Sequence, residues 1–120
     1  MVTVKDIAWM AGLLEGEGCF HLLNKKYPAI SLMMTDYDVL LRAKKTWRHN
    51  KIYGPIVRKT KNGTYQKPIW QLRITGPKAI GWMMTVYSFL GTRRKEAIEN
   101  CLSTWQSNTY RKYHRKWVLK

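Results

Sequence analysis

Residues 9–20 read WMAGLLEGEGCF, an apolar stretch punctuated by three glycines and two glutamates. Just upstream, Thr3 and Asp6 have the spacing of a capping box, which predicts a helix over 3–16. Ile7, Met10, Ala11 and Leu14 fall on one face of it, and Gly16 and Gly18 end it. Ala8, Gly12 and Gly16 recur every four residues and form a separate ridge without large side chains, where another backbone can approach closely. A second copy of the chain suits such a ridge, because a two-fold axis makes one surface its own partner. Glu15 and Glu17 are two of only seven acidic residues. Neighbours two apart on a helix point to nearly opposite sides, so these two cannot easily share one metal within one chain. Across a two-fold axis, however, Glu17 would approach its own counterpart. Paired carboxylates beside phosphates favour a hard cation such as Mg²⁺, which can activate water for in-line attack on phosphorus.

Outward from this stretch, the pattern alternates between strands and helices. Residues 18–24 alternate like a strand, with Phe20 and Leu22 on one side and Cys19, His21 and Leu23 on the other. After a turn at Lys25–Pro28, residues 29–35 alternate again, setting Ile30, Leu32 and Met34 against Ala29, Ser31, Met33 and Thr35. Asp36 or Asp38 caps a helix that carries Val39, Leu40, Ala43 and Trp47 inward. A second hairpin follows Gly54–Pro55, with strands near 56–61 and 65–74 around an Asn62–Gly63 turn. In it Trp70, Leu72 and Ile74 oppose Lys67, Ile69, Gln71 and Arg73. Gly76–Pro77 starts a helix through about Leu90, and Thr92 another through about Gln106. Met83, Met84, Tyr87 and Phe89 read as core. The order helix, hairpin, helix, hairpin, helix, helix predicts an α+β domain with a four-stranded antiparallel sheet and helices on one face. The other sheet face stays open, wide enough to lie along a DNA groove. One domain spans 1–108, and 109–120 form a basic, aromatic tail, either part of that domain or frayed.

The chain of 120 residues carries 22 Lys and Arg, for a formal net charge of +15. Such a field attracts polyanions, because neutralising phosphates releases condensed counterions. Nucleic acid is the partner this implies. No long helix sets a basic face against an apolar one, so a membrane surface is not expected. No apolar run approaches the roughly 20 residues of a membrane span. There is no signal pattern at the N-terminus, and the expected location is intracellular. Cys19 and Cys101 are too few for a disulfide scaffold or a four-cysteine zinc site, and the three histidines lack ligand spacing with them. Both cysteines read as small buried hydrophobes.

The stretch Trp9–Phe20 resembles the signature helix of the LAGLIDADG homing endonucleases. The predicted element order is similar to that family's core over nearly the whole chain. Leu90-Gly91-Thr92-Arg93-Arg94-Lys95-Glu96-Ala97 resembles its loop-to-helix segment that carries a catalytic-site base. The resemblance implies a sequence-specific endonuclease, intron- or intein-encoded, that breaks both strands of duplex DNA with Mg²⁺ and accepts Mn²⁺ or Ca²⁺ in binding. It implies no small-molecule substrate. A single motif per chain implies a homodimer and a long, near-palindromic site.

Residue by residue, the resemblance places Glu17 at the metal-binding acid, with Gly16 beside it at the metal position. Glu stands here where the name-giving motif has Asp. Ala8, Gly12, Glu15 and Gly16 fall at the dimer interface, Glu15 in a mainly structural role. Asp36 falls where a polar residue organises water near the metals. Arg93 falls at the family's lysine near the scissile phosphate, with Arg94 and Lys95 as neighbouring contacts to DNA. An arginine cannot serve as general base at neutral pH, but it can stabilise phosphorane charge or orient water. Strand alternation and the resemblance together make His21, Leu23, Lys25, Ser31 and Met33 the DNA contacts of the first hairpin. Those of the second are Arg58 or Lys59, Lys61, Lys67, Gln71 and Arg73. The rival reading is a non-cleaving nucleic-acid binder on the same fold, an intron RNA maturase or a DNA-binding regulator.

Overall fold

The computed structural model describes the backbone of residues 1–118 and the side chains through 108. Its first helix, α1 (Val4–Glu17), begins with the capping box in place: Asp6 N donates to the Thr3 hydroxyl, and Thr3 N donates to the Asp6 carboxylate. Met10, Ala11 and Leu14 of α1 are buried. Strands β1 (Gly18–Leu23) and β2 (Tyr27–Met34) form the first hairpin, with Asn24 and Lys25 of its turn in left-handed backbone. Helix α2 (Tyr37–Trp47) buries Leu40, Ala43 and Trp47. Strands β3 (Tyr53–Ile56) and β4 (Ile69–Thr75) form the second hairpin. Helix α3 (Gly76–Val86) tightens into a 3-10 turn, Tyr87–Phe89, and α4 (Thr92–Val118) closes the chain.

The four strands lie in the order β1-β2-β4-β3, with every neighbouring pair antiparallel. All four helices pack against the layer side of the sheet, where Phe20, Ile30, Leu32, Leu72 and Ile74 meet Met10, Leu14, Leu40, Met83 and Ile98 in one core. Each fully buried Leu or Ile stabilises this core by about 1.5–3 kcal/mol relative to exposure. The alternation in β1, β2 and β4 therefore sorts as expected, and among the described residues no helix packs on the opposite sheet face.

Four details differ from the sequence reading. The second hairpin is shorter in regular pairing than 56–61 and 65–74. β3 ends at Ile56, the β3–β4 register shifts between Tyr53 and Ile56, and beyond it only Lys59 and Tyr65 form a bridge. Pro55 and Pro68 lack the N–H that would continue the ladder. The Asn62–Gly63 turn still forms the tip, with Gly63 at φ 83° and Gly63 N bonded to Thr60 O at 3.0 Å.

Met84 and Phe89 are not core: they are 65% and 59% exposed. The buried stripe of α3 runs through Ala79, Ile80, Met83 and Val86, and Met84 lies off it, while Phe89 sits in the 3-10 turn. Cys19 is exposed, whereas Cys101 is buried as expected. Finally, α4 continues to Val118, past Gln106. The side chains of the basic, aromatic tail, 109–120, lie outside the described residues.

Candidate nucleic-acid interface

β1 leaves α1 at Glu17, the last helical residue, so the fold delivers this exposed carboxylate to the edge of the open sheet face. There Glu17, Cys19, His21, Ser31, Met33, Gln71 and Arg73 line one groove of roughly 560 Å³. The structure thus brings Glu17 together with five of the expected base-reading residues. Cys19 also lines this groove, a position that its alternation with Phe20 already implied.

Within the groove, His21 Nε2 and Ser31 Oγ share a 2.7 Å hydrogen bond, which holds the ring and accounts for a nearly buried serine on this face. Burial lowers the His21 pKa below its ordinary value, and the Arg73 guanidinium lowers it further. A histidine whose folded pKa is depressed binds fewer protons than in the unfolded chain. Its contribution to stability is therefore complete above about pH 6.5 and is lost as the pH falls from there through the folded value. An NMR titration of the free protein is expected to place the His21 midpoint below that of an ordinary exposed histidine, and Arg73→Ala to move it back upward. A midpoint at or above that ordinary value would overturn this account of the groove.

The remaining expected contacts lie outside the groove. Leu23 is half-buried at the end of β1, and Lys25 sits in the turn beyond it. Arg58, Lys59, Lys61 and Lys67 are exposed along the second hairpin, with Lys59 Nζ 5.8 Å from the Tyr65 ring centre. That placement suits phosphate contacts better than base edges. Asp36 occupies the N-cap of α2, and its backbone carbonyl accepts from Val39 and Leu40. Its side chain makes no cap hydrogen bond, so the exposed carboxylate is not spent on the helix.

The loop into α4 is tied to the end of α1. Glu15 accepts from Gly91 N at 3.2 Å, and a Cβ on Gly91 would come 2.8 Å from the same carboxylate. Arg94 donates to the carbonyl of Gly18, the residue that follows Glu17. α1 has no basic residue in its last turn, so Arg94 supplies the cation that its negative dipole end favours. Arg94 Nε is buried without an acceptor among the described residues. Arg93 is exposed, and Lys95 Nζ lies 5.4 Å from the Tyr87 ring centre. The family resemblance set Arg93 near the scissile phosphate with Arg94 as a neighbouring contact; of the two, Arg94 is the one that reaches the α1–β1 junction.

Among the described residues, no three His, Cys, Asp or Glu side chains are grouped to hold a metal, and no helix is long and apolar enough to cross a membrane. On the outer side of α1, a Cβ at Gly12 or Gly16 would meet nothing within 4 Å, so the small-residue ridge is uncovered in the single chain.

No family model and no curated protein matches this sequence. Solved structures do match. The homing endonuclease I-CvuI, in complex with its target in the presence of 2 mM Ca, aligns over 83% of this chain and 66% of its own at 15% identity, with a TM-score of 0.56. The same enzyme, in complex with the I-CreI target in the presence of 2 mM Mg with DNA not cleaved, aligns at 17% identity with a TM-score of 0.54, again over 83% and 66%. This chain has the LAGLIDADG homing endonuclease fold. At such identity the likeness is one of fold, and this chain spans 66% of the I-CvuI chain. The groove lies on the open face of the sheet that α1 feeds.

Proposed function

We propose that the protein is a divalent-metal-dependent endonuclease that cuts duplex DNA at a long, near-palindromic site as a homodimer. The observation that carries this reading is the placement of Glu17: exposed at the end of α1, in one groove with His21, Ser31, Gln71 and Arg73. Those side chains offer hydrogen bonds to base edges, and a net charge of +15 draws the phosphates in. The likeness in fold to a homing endonuclease solved on DNA supports the same reading.

The residues fit a hard cation in part. Glu17 and the neighbouring Gly16 carbonyl offer oxygen donors of the kind Mg²⁺ prefers, but one carboxylate per chain is short of a full set. The uncovered Ala8–Gly12–Gly16 ridge would bring a second copy and its Glu17, and DNA phosphate oxygens would complete the shell. When bound, Mg²⁺ would supply charge neutralisation at the phosphate and a water made more acidic. The chain's own residues have separate tasks. Arg94 holds the Gly18 carbonyl and so the direction in which the chain leaves Glu17. Glu15 fixes the loop from which Arg93 projects. Arg93 places a permanent cation near the phosphate, stabilising developing charge without taking a proton. The Asp36 carboxylate, free of its own helix cap, can orient water at the same end of the sheet.

The second reading, a binder that does not cut, draws on Arg93 standing where the family resemblance places a lysine. Incubation with a randomised duplex library in Mg²⁺, followed by sequencing of cleaved ends, separates the two. Cuts at one near-palindromic site are expected. Tight, salt-sensitive binding without cuts in Mg²⁺ or Mn²⁺ would sink the nuclease and leave the binding module.

A further inference from the structure

The strand register sets the groove side chains in rows. Cys19, Ser31 and Arg73 are cross-strand partners on β1, β2 and β4. Met33 and Gln71 are partners in the next row toward α1, level with the point where Glu17 precedes Gly18. His21 and Ala29, with Thr75, make the row on the far side.

The dimensions of a duplex decide how these rows meet it. β2 has eight residues and is about 26 Å long. The major groove is only about 12 Å wide, so the strands must run along it and the rows across it. Successive rows are two residues apart, about 6.7 Å. Base pairs are stacked about 3.4 Å apart, so neighbouring rows stand over positions two base pairs apart. Strands in one row are about 4.8 Å apart, so partners on β2 and β4 face the two bases of one pair.

The chemistry of each row then selects a pair. Gln71 offers a donor and an acceptor together, the match for adenine N6 and N7. Beside it Met33, apolar and 40% exposed, faces the partner base, where thymine carries its methyl group. One row outward, Arg73 offers the two-pronged donor that fits guanine O6 and N7. Beside it Ser31 is buried and bonded to His21, so β2 offers the partner base no exposed side chain in this row.

Resting on the proposed duplex-binding reading, we propose that each sheet reads an adenine with Gln71 and a guanine with Arg73. The two bases lie on one strand of the half-site, separated by a single base pair, with the adenine nearer Glu17. Met33, exposed beside Gln71, reads the complementary thymine.

Selection of bound sequences from a randomised duplex library in Ca²⁺ tests this. The wild-type protein is expected to enrich adenine and guanine two positions apart on one strand, in both half-sites. Loss of either base should weaken binding by roughly tenfold to a hundredfold. Arg73→Gln removes the donor pair that fits guanine, so it should weaken binding and shift the outer preference from guanine to adenine, leaving the inner adenine unchanged. Gln71→Arg should convert the inner adenine to guanine and leave the outer position unchanged, a gain that a misfolded variant cannot imitate. Bound sequences with a different spacing, or an Arg73→Gln variant that still selects guanine, would overturn the base assignment while leaving duplex binding intact. Absence of any duplex binding by the wild type would sink both readings.

Discussion

Glu17→Gln is expected to abolish Mg²⁺-dependent cleavage while leaving duplex binding in Ca²⁺ within a few-fold of wild type. The side chain is exposed and terminal in α1, so the fold does not depend on it. Its charge lies at the end of a helix where the dipole disfavours an anion, and neutralising it there is neutral or stabilising by about 0.3–1 kcal/mol. The amide keeps the shape of the carboxylate and loses the charge that two copies would present to a hard cation. Transition-state stabilisation of about 4 kcal/mol or more disappears with it, a rate loss of about a thousandfold or greater. Single-turnover cleavage, a binding isotherm and a thermal melt on the same preparation read out all three expectations. Cleavage that survives the substitution would remove Glu17 from the metal site.

Gly12→Leu is expected to yield a folded monomer that neither dimerises nor cuts. In the single chain a Cβ at Gly12 would meet nothing within 4 Å, so the larger side chain has no intramolecular clash to make. Leucine is also the better helix former, by about 0.8–1 kcal/mol, so the monomer's own stability should rise. The cost falls entirely on a second helix packed against the Ala8–Gly12–Gly16 ridge, which loses its close approach. Sedimentation velocity on wild type and variant separates these effects, because the variant's melt becomes independent of protein concentration as its dimer is lost. A wild type that sediments as a monomer when bound to its selected duplex would end the shared-site argument. So would a Gly12→Leu variant that still dimerises.

Two kinds of pattern made the fold legible. Period-2 alternation in Phe20–Leu22, Ile30–Met34 and Trp70–Ile74 identified the strands and which face of each meets the helices. Local chemistry at Thr3, Asp6 and Asn62–Gly63 set the start of α1 and the tip of the second hairpin. Signals of this kind act between near neighbours, and they survive whatever the rest of the chain does. Residue type is a weaker guide than position: Met84 and Phe89 are apolar yet exposed, and Cys19 is small yet lies on the groove side of β1, where the alternation of that strand places it.

The sequence by itself determined the order of elements, the core and groove faces of the first hairpin and β4, and the single glutamate at the junction of α1 and β1. Only the tertiary structure decided that Arg94 rather than Arg93 reaches Gly18, and that Glu15 is engaged by Gly91. It also decided that Ser31 and His21 close a hydrogen bond between strands, and that Cys19, Ser31 and Arg73 stand in one row. The physical reason is separation along the chain. A helix face or a strand face follows from spacings of two to four residues, whereas the contact between Arg94 and Gly18 joins positions 76 residues apart and depends on how α4 docks. Cross-strand rows depend on register, which the packing of one apolar face against the helices sets for every side chain on the other.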